Sequence, residues 1–269
     1  LYLCPTPLGN LEDVTLRVLR VLREAALVAA EDTRVTRKLL HHFNIRARLV
    51  SYHENNKAKQ TPYLIECLLD GHDVALVSDA GMPGIADPGE ELVREAVNRQ
   101  VRVVALPGPV AAVTALAASG LPSASFVFFG FLPSRGTKKK EMINILLAAD
   151  RTAIFYEAPH RLAVTLAELA ALAADRAAVV ARELTKIHEE FVRGTLRELA
   201  EHFALQAPRG ECTVLLAPAQ EQQKTDVSAQ PLLDKLLSLG LDKTEAARTA
   251  AEILGLPKRQ VYSLVHKKK

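Results

Sequence analysis

Short apolar runs alternate along the first hundred positions with stretches in which apolar residues recur every three or four places. Residues 1–4, 26–30, 48–51, 73–78 and 101–106 are such runs, each of strand length. Strands alternating with helices predict a parallel sheet covered on both faces. After Gly120 the rhythm changes, and strands are expected over 125–131, 152–156, 177–182, 190–193 and 211–217. The two that closely flank residues 184–189 suggest a hairpin, so the second half should hold a mixed sheet. The reading is two α/β domains, residues 1–115 and 116–217, joined near residues 107–120.

Residues 218–230 are polar and lack hydrophobic periodicity, which is a linker composition. Beyond them, helices are expected over 231–239 and 243–254, then a turn at Gly255-Leu256-Pro257 and a basic helix over 258–266. This is the pattern of a helix-turn-helix appendage over residues 231–269, and equally of a helical hairpin that only packs. Charge separates this tail from the rest: it carries eight Lys/Arg against four Asp/Glu, whereas the preceding residues carry 26 against 27.

Composition is that of a globular chain, 49 % hydrophobic and 24 % charged, so neither a disordered nor a fibrous protein is expected. Cys4, Cys67 and Cys212 are odd in number and widely spaced, and they read as reduced core thiols of a cytoplasmic protein. The longest apolar stretch, 103–118, is interrupted by Pro107, Gly108 and Pro109, so no membrane span is expected. The first residues show no export signal.

Chemistry is concentrated in the loops that follow the strands, where α/β sheets bind nucleotide-like ligands. The first, Thr6-Pro7-Leu8-Gly9-Asn10, matches neither a dinucleotide fingerprint nor a phosphate-binding loop. The fourth, residues 78–89, holds three glycines and two prolines in twelve positions. Such a backbone, poor in side chains, can approach a ligand closely while Asp79 offers a fixed acceptor. The fifth leads through Pro107-Gly108-Pro109 straight into a helix whose first N–H groups are free.

These segments, with Glu31-Asp32-Thr33-Arg34, Tyr52-His53-Glu54-Asn55-Asn56, Phe155-Tyr156-Glu157-Ala158-Pro159, Arg182-Glu183-Leu184-Thr185-Lys186 and Gly210-Glu211-Cys212-Thr213, carry a resemblance. The chain resembles the tetrapyrrole methylase superfamily, and within it the small-subunit ribosomal RNA cytidine 2′-O-methyltransferase family. The resemblance spans residues 1 to about 217. It implies a two-domain, non-Rossmann fold that binds S-adenosyl-L-methionine between the domains, a homodimer, and a target cytidine near the decoding centre. The cofactor-lining residues it implies are Pro7, Gly9, Asp79, Ala80, Gly81, Pro83, Gly84, Ile85, Val110, Ala111, Tyr156, Glu157, Ala158, Glu211 and Thr213. Met82 and Val110 stand where the family more commonly has Thr and Ser.

Methyl transfer from a sulfonium requires alignment and a group to take the ribose proton. Asp32 and Glu31, at the end of the second strand, are the leading candidates, followed by Glu157 and Lys186, with Glu183 and His188 behind them. Asp32 can equally serve as a helix cap. No metal centre is indicated, since His41 and His42 read as a solvated helix surface. A basic footprint for small-subunit ribosomal RNA, free or in the assembled subunit, is expected from Arg34, Arg135, Lys138, Lys139, Lys140, Lys258 and Arg259. Two other functions fit the same residues: methylation of a tetrapyrrole or other small molecule, and RNA binding without catalysis.

Overall fold

The computed structural model describes residues 1–206, 208, 210–219, 229–254 and 261–262. It comprises two compact units, Leu1–Pro218 and Ala219–Lys269. The first unit contains two five-stranded sheets.

The first sheet is parallel, in the order β3 (Leu49–Ser51), β2 (Leu27–Ala30), β4 (Val74–Val77), β1 (Tyr2–Leu3), β5 (Val104–Ala105). Its central strands β2 and β4 are fully buried, and successive side chains serve opposite faces. Val28, Ala30, Ala75 and Val77 pack with Val18, Leu22 and Leu40 of α1 (Leu16–Glu24) and α2 (Thr33–His42). Leu27, Ala29, Val74 and Leu76 pack with Leu64, Leu68 and Leu92 of α3 (Lys57–Leu69) and α4 (Glu90–Asn98). β5 is shorter than its apolar run suggests: it is an edge strand paired only with β1, and the Val101 N–H bonds Ala96 at the end of α4.

The second sheet runs β6 (Phe126–Phe131), β7 (Thr152–Glu157), β10 (Cys212–Leu216), β8 (Ala177–Arg182), β9 (Glu190–Thr195). Only β6 and β7 are parallel, so the sheet is mixed, and β8 and β9 form the expected hairpin. One face is covered by α6 (Thr137–Ala148), α7 (Pro159–Ala173) and α8 (Leu196–Leu205), through Leu146, Leu162, Leu166, Leu199 and Phe203. The other face receives α5 (Ala111–Ser119): Ala112, Ala115 and Leu116 meet Ile154, Val179, Ala181 and Leu215. Leu8, from the loop after β1, joins this cluster. The boundary expected between residues 115 and 116 therefore falls inside a helix, and α5 packs on the second sheet although it follows the first.

The second unit has its own core. Leu233 of α9 (Ala229–Ser238) packs with Ala246, Ala247 and Ala250 of α10 (Lys243–Leu254), and Val261 is buried with them. Asp242 caps α10 by accepting from the Thr244 and Glu245 N–H groups. Of the expected third helix, only Val261 and Tyr262 lie among the described residues; Lys258 and Arg259 lie outside them.

All three cysteines are free. Burial pushes the thiols of Cys4 and Cys212 up to about 12, as for inert core residues. No described helix is long and apolar enough to cross a membrane.

Candidate active site

The loops after β1, β2 and β4 are tied together by backbone. Thr6 and Gly81 exchange two N–H···O=C bonds of 2.9 Å, and the Thr6 hydroxyl donates to the Ser78 carbonyl at 3.0 Å. The Asp79 carboxylate accepts from the Asp32 N–H (3.0 Å), while the Glu31 carboxylate accepts from the Asp79 N–H (3.3 Å). Gly81 and Gly84 sit at φ +83° and +82°, where a side chain is strained, so the loop after β4 depends on glycine at both places.

This loop forms one wall of a cavity of ≈ 450 Å³ within the first unit. Glu31, Asp79, Ala80, Gly81 and Ile85 come from the loops of the first sheet. Val110 and Ala111 come from the start of α5, and Tyr156, Glu157, Ala158, Glu211 and Thr213 from the second sheet. The Tyr156 hydroxyl accepts from the Ala112 N–H at 3.1 Å, occupying one free donor of a helix whose N-cap, Val110, has no polar side chain. Phe128 and Phe131 hold the Tyr156 ring edge-on at 4.9 and 5.4 Å.

Other expected residues lie elsewhere. Pro7 and Gly9 line an adjoining smaller cavity that shares Asp79 with the main one. Pro83 and Gly84 shape the loop without lining either cavity. Sequence reasoning did not single out Leu8, Ala86, Asp87, Phe131, Pro159 or Cys212 as lining residues, although all face the main cavity. Asp87 was in view as part of the glycine-rich segment; only folding shows that its carboxyl turns inward.

The candidate proton acceptors differ sharply in surroundings. Asp32 caps α2, accepting from the Arg34 N–H at 2.8 Å, and forms a two-toothed pair with the Arg34 guanidinium, the closest contact being 2.6 Å. That pairing holds its carboxyl down at about 2. Glu157 is fully buried against Arg161 (3.0 Å), the Thr165 hydroxyl (2.7 Å) and the Ala158 N–H (2.9 Å). Lys186 pairs with Glu183 at 2.8 Å, and its stem lies over Gly9 so closely that a Cβ there would overlap it. His188 is exposed at the hairpin tip. Glu31 is half-buried, its carboxyl raised by desolvation against the hydrogen bond it accepts from the Asp79 N–H, and it is not ion-paired to any Lys or Arg among the described residues. The Nδ1 of His53 is buried and has no hydrogen-bond partner among the described residues.

Burial also pushes Asp87 up to about 7, with Glu31, Asp79 and Glu211 adding repulsion against a hydrogen bond from Ser78. An unfolded aspartate titrates at about 3.9, so the folded state holds an extra proton between roughly pH 4 and 7. Stability attributable to this group therefore falls as pH rises through that window. Asp87→Asn is expected to raise Tm relative to the parent by an amount that grows from pH 4 to pH 7 and then levels off. A Tm difference independent of pH would show that Asp87 titrates normally.

Among the basic residues, Arg135, Lys138 and Lys140 are exposed. Lys139 is only 7 % exposed and pairs with Glu168 at 2.7 Å, so it ties α6 to α7 rather than facing solvent.

The model of the tetrapyrrole (corrin/porphyrin) methylases matches residues 1–200. The protein called ribosomal RNA small subunit methyltransferase I in Halalkalibacterium halodurans is 46 % identical, over 99 % of this chain and 94 % of its own. The chain belongs to this methyltransferase I family of the tetrapyrrole methylases. Proteins of the same name from Synechocystis sp. and Bacillus subtilis are 44 % and 43 % identical, over 98 % and 99 % of this chain and 96 % and 94 % of theirs. Among solved structures, diphthine synthase superposes with a TM-score of 0.63 at 18 % identity, covering 80 % of this chain and 88 % of its own. A uroporphyrin-III C-methyltransferase from Thermus thermophilus, complexed with S-adenosylhomocysteine, gives 0.55 at 21 %, covering 80 % and 95 %. These two show the shared fold.

Proposed function

We propose that the protein transfers a methyl group from S-adenosyl-L-methionine to the 2′-hydroxyl of a cytidine ribose in small-subunit ribosomal RNA. The observation that carries this reading is near-complete coverage, at 46 % identity, of a relative named for that class of substrate. The cavity suits the cofactor on its own evidence. Its glycine-rich wall brings backbone close to a ligand, Tyr156 and Phe131 offer aromatic surface, and Glu31, Asp79, Asp87 and Glu211 oppose a cationic ligand. When bound, the cofactor supplies an activated methyl group on a sulfonium. Asp79 and Asp87, which line the cavity, would hold that cation when it is bound. Glu31 accepts the hydroxyl proton, because its carboxylate faces the cavity and has its basicity increased by burial. Asp32 fixes the start of α2 and orients Glu31 through the Asp79 bridge.

Methyl incorporation into small ribosomal subunits, compared with uroporphyrinogen, tests the substrate. Label in the RNA ribose supports the proposal; label only in the tetrapyrrole defeats it. A cytoplasmic homodimer belongs to the same reading, and exposed Phe126, Phe131, Val164 and Leu172 provide apolar surface for a second copy.

The tail adds RNA affinity in this proposal. Deleting residues 219–269 cuts between two units that each hold a core, whereas a cut at 231 would fall inside α9, so S-adenosyl-L-methionine binding should persist. RNA affinity should fall and its salt dependence flatten as fewer phosphates are neutralised. Full RNA affinity with an unchanged salt slope in the truncated chain would assign the tail to packing.

A further inference from the structure

We infer that the outer face of α2 is a track for the phosphates of the RNA substrate, leading the strand to the cavity. This rests on the RNA-methylating function proposed above. The helix is amphipathic: Thr36, Leu39 and Leu40 are buried, whereas Arg34, Arg37, Lys38, His41 and His42 share the opposite face. It contains no acidic residue. That absence separates it from an ordinary solvated helix face in this protein. Arg20 pairs with Glu24 on α1, Arg94 with Glu90 on α4, and Arg99, just past the end of α4, with Glu95, each four residues apart. Arg34 is partly neutralised by Asp32, but among the described residues neither Arg37 nor Lys38 is in an ion pair. Two cations lie together with no internal use.

Their position gives the direction. The five basic or imidazole side chains and Leu11 line a shallow depression of ≈ 620 Å³. A second cavity shares Leu11 and Lys38 with this depression and shares Asp79 with the main cavity. The three concavities thus adjoin in sequence, from the cationic face of α2 past Leu11, Lys38 and Asp79 to the cavity that holds Glu31 and Asp87. A polyanionic strand lying along the face would present a neighbouring ribose to the carboxylate end, where the acidic lining repels phosphate and favours the uncharged sugar edge. An acidic protein surface would match the charge equally, but it has no reason to converge on the reacting centre.

The test uses the full-length protein, small-subunit ribosomal RNA and a salt series from about 50 to 200 mM. The Arg37→Ala/Lys38→Ala variant is expected to bind RNA about tenfold more weakly at the low-salt end. Its plot of log affinity against log salt should lose about 1.4 to 1.8 of slope, the share of two phosphates. KM for RNA should rise while kcat at saturating RNA and the Kd for S-adenosyl-L-methionine stay unchanged. Arg37→Lys/Lys38→Arg should restore the parental slope, which separates charge from packing. Unchanged RNA affinity and slope in the alanine variant, with the parent methylating RNA, would overturn the track. Failure of the parent itself to methylate RNA would instead overturn the functional reading.

Discussion

Glu31→Gln is expected to lower kcat on small-subunit ribosomal RNA by about 10²- to 10⁴-fold, the contribution of a positioned general base. The substitution keeps the side-chain length, and its amide oxygen can still accept from the Asp79 N–H, so loop geometry is retained. What disappears is the basic oxygen facing the cavity. RNA affinity and Tm should change little, so that the loss falls in kcat and in kcat/KM together. Asp32→Asn provides the contrast. Asparagine caps a helix about as well as aspartate, so α2 should survive, and only the Arg34 pair is lost. A carboxyl already held down at about 2 is a weak base, and its neutralisation should cost far less turnover than that of Glu31. Equal loss in both variants would transfer the proton acceptor to the pair as a unit. A larger loss in Asp32→Asn would reverse the assignment.

Gly81→Val is expected to abolish measurable S-adenosyl-L-methionine binding, a loss of at least 100-fold in affinity, while the far-ultraviolet dichroism is retained. Three effects converge at this position. The backbone is at φ +83°, which costs a β-branched residue upwards of about 1–2 kcal/mol. An added Cβ would stand 3.3 Å from Leu8, itself part of the cluster under α5. Relief by rotating the peptide would break the paired Thr6 bonds that join the loops after β1 and β4. Gly84→Val shares the backbone strain, but its nearest neighbour would be 3.9 Å away and it does not line the cavity, so its effect should be smaller. Calorimetry on both variants checks the order. Unchanged affinity in Gly81→Val would remove this loop from the binding site.

Both predictions depend on a distinction between neighbours in sequence that folding pulls apart. Glu31 and Asp32 look interchangeable as an acidic pair after a strand, yet one faces the cavity and the other turns back to cap its own helix. Strand direction alternates side chains, and the first helical turn claims whichever carboxylate reaches its N–H groups. The same holds for Lys139, which belongs to a run of three lysines but is the one whose helical phase points at α7. Runs of like residues carry no phase information until their helix is docked.

The sequence by itself determined the ten strands of the described residues, the parallel and mixed character of the two sheets, and the glycine- and proline-rich make-up of the loop of residues 78–89, which forms one wall of the main cavity. These follow from local rules: apolar period, strand length and the backbone demands of glycine and proline. Tertiary structure decided which sheet α5 serves, since an apolar helix does not name its partner, and α5 lies between both sheets in the chain. It also decided that Asp87 faces the cavity near Glu31, Asp79 and Glu211. A carboxylate's proton affinity is set by the water removed around it and by charges from distant segments, neither of which is encoded within its own stretch of chain.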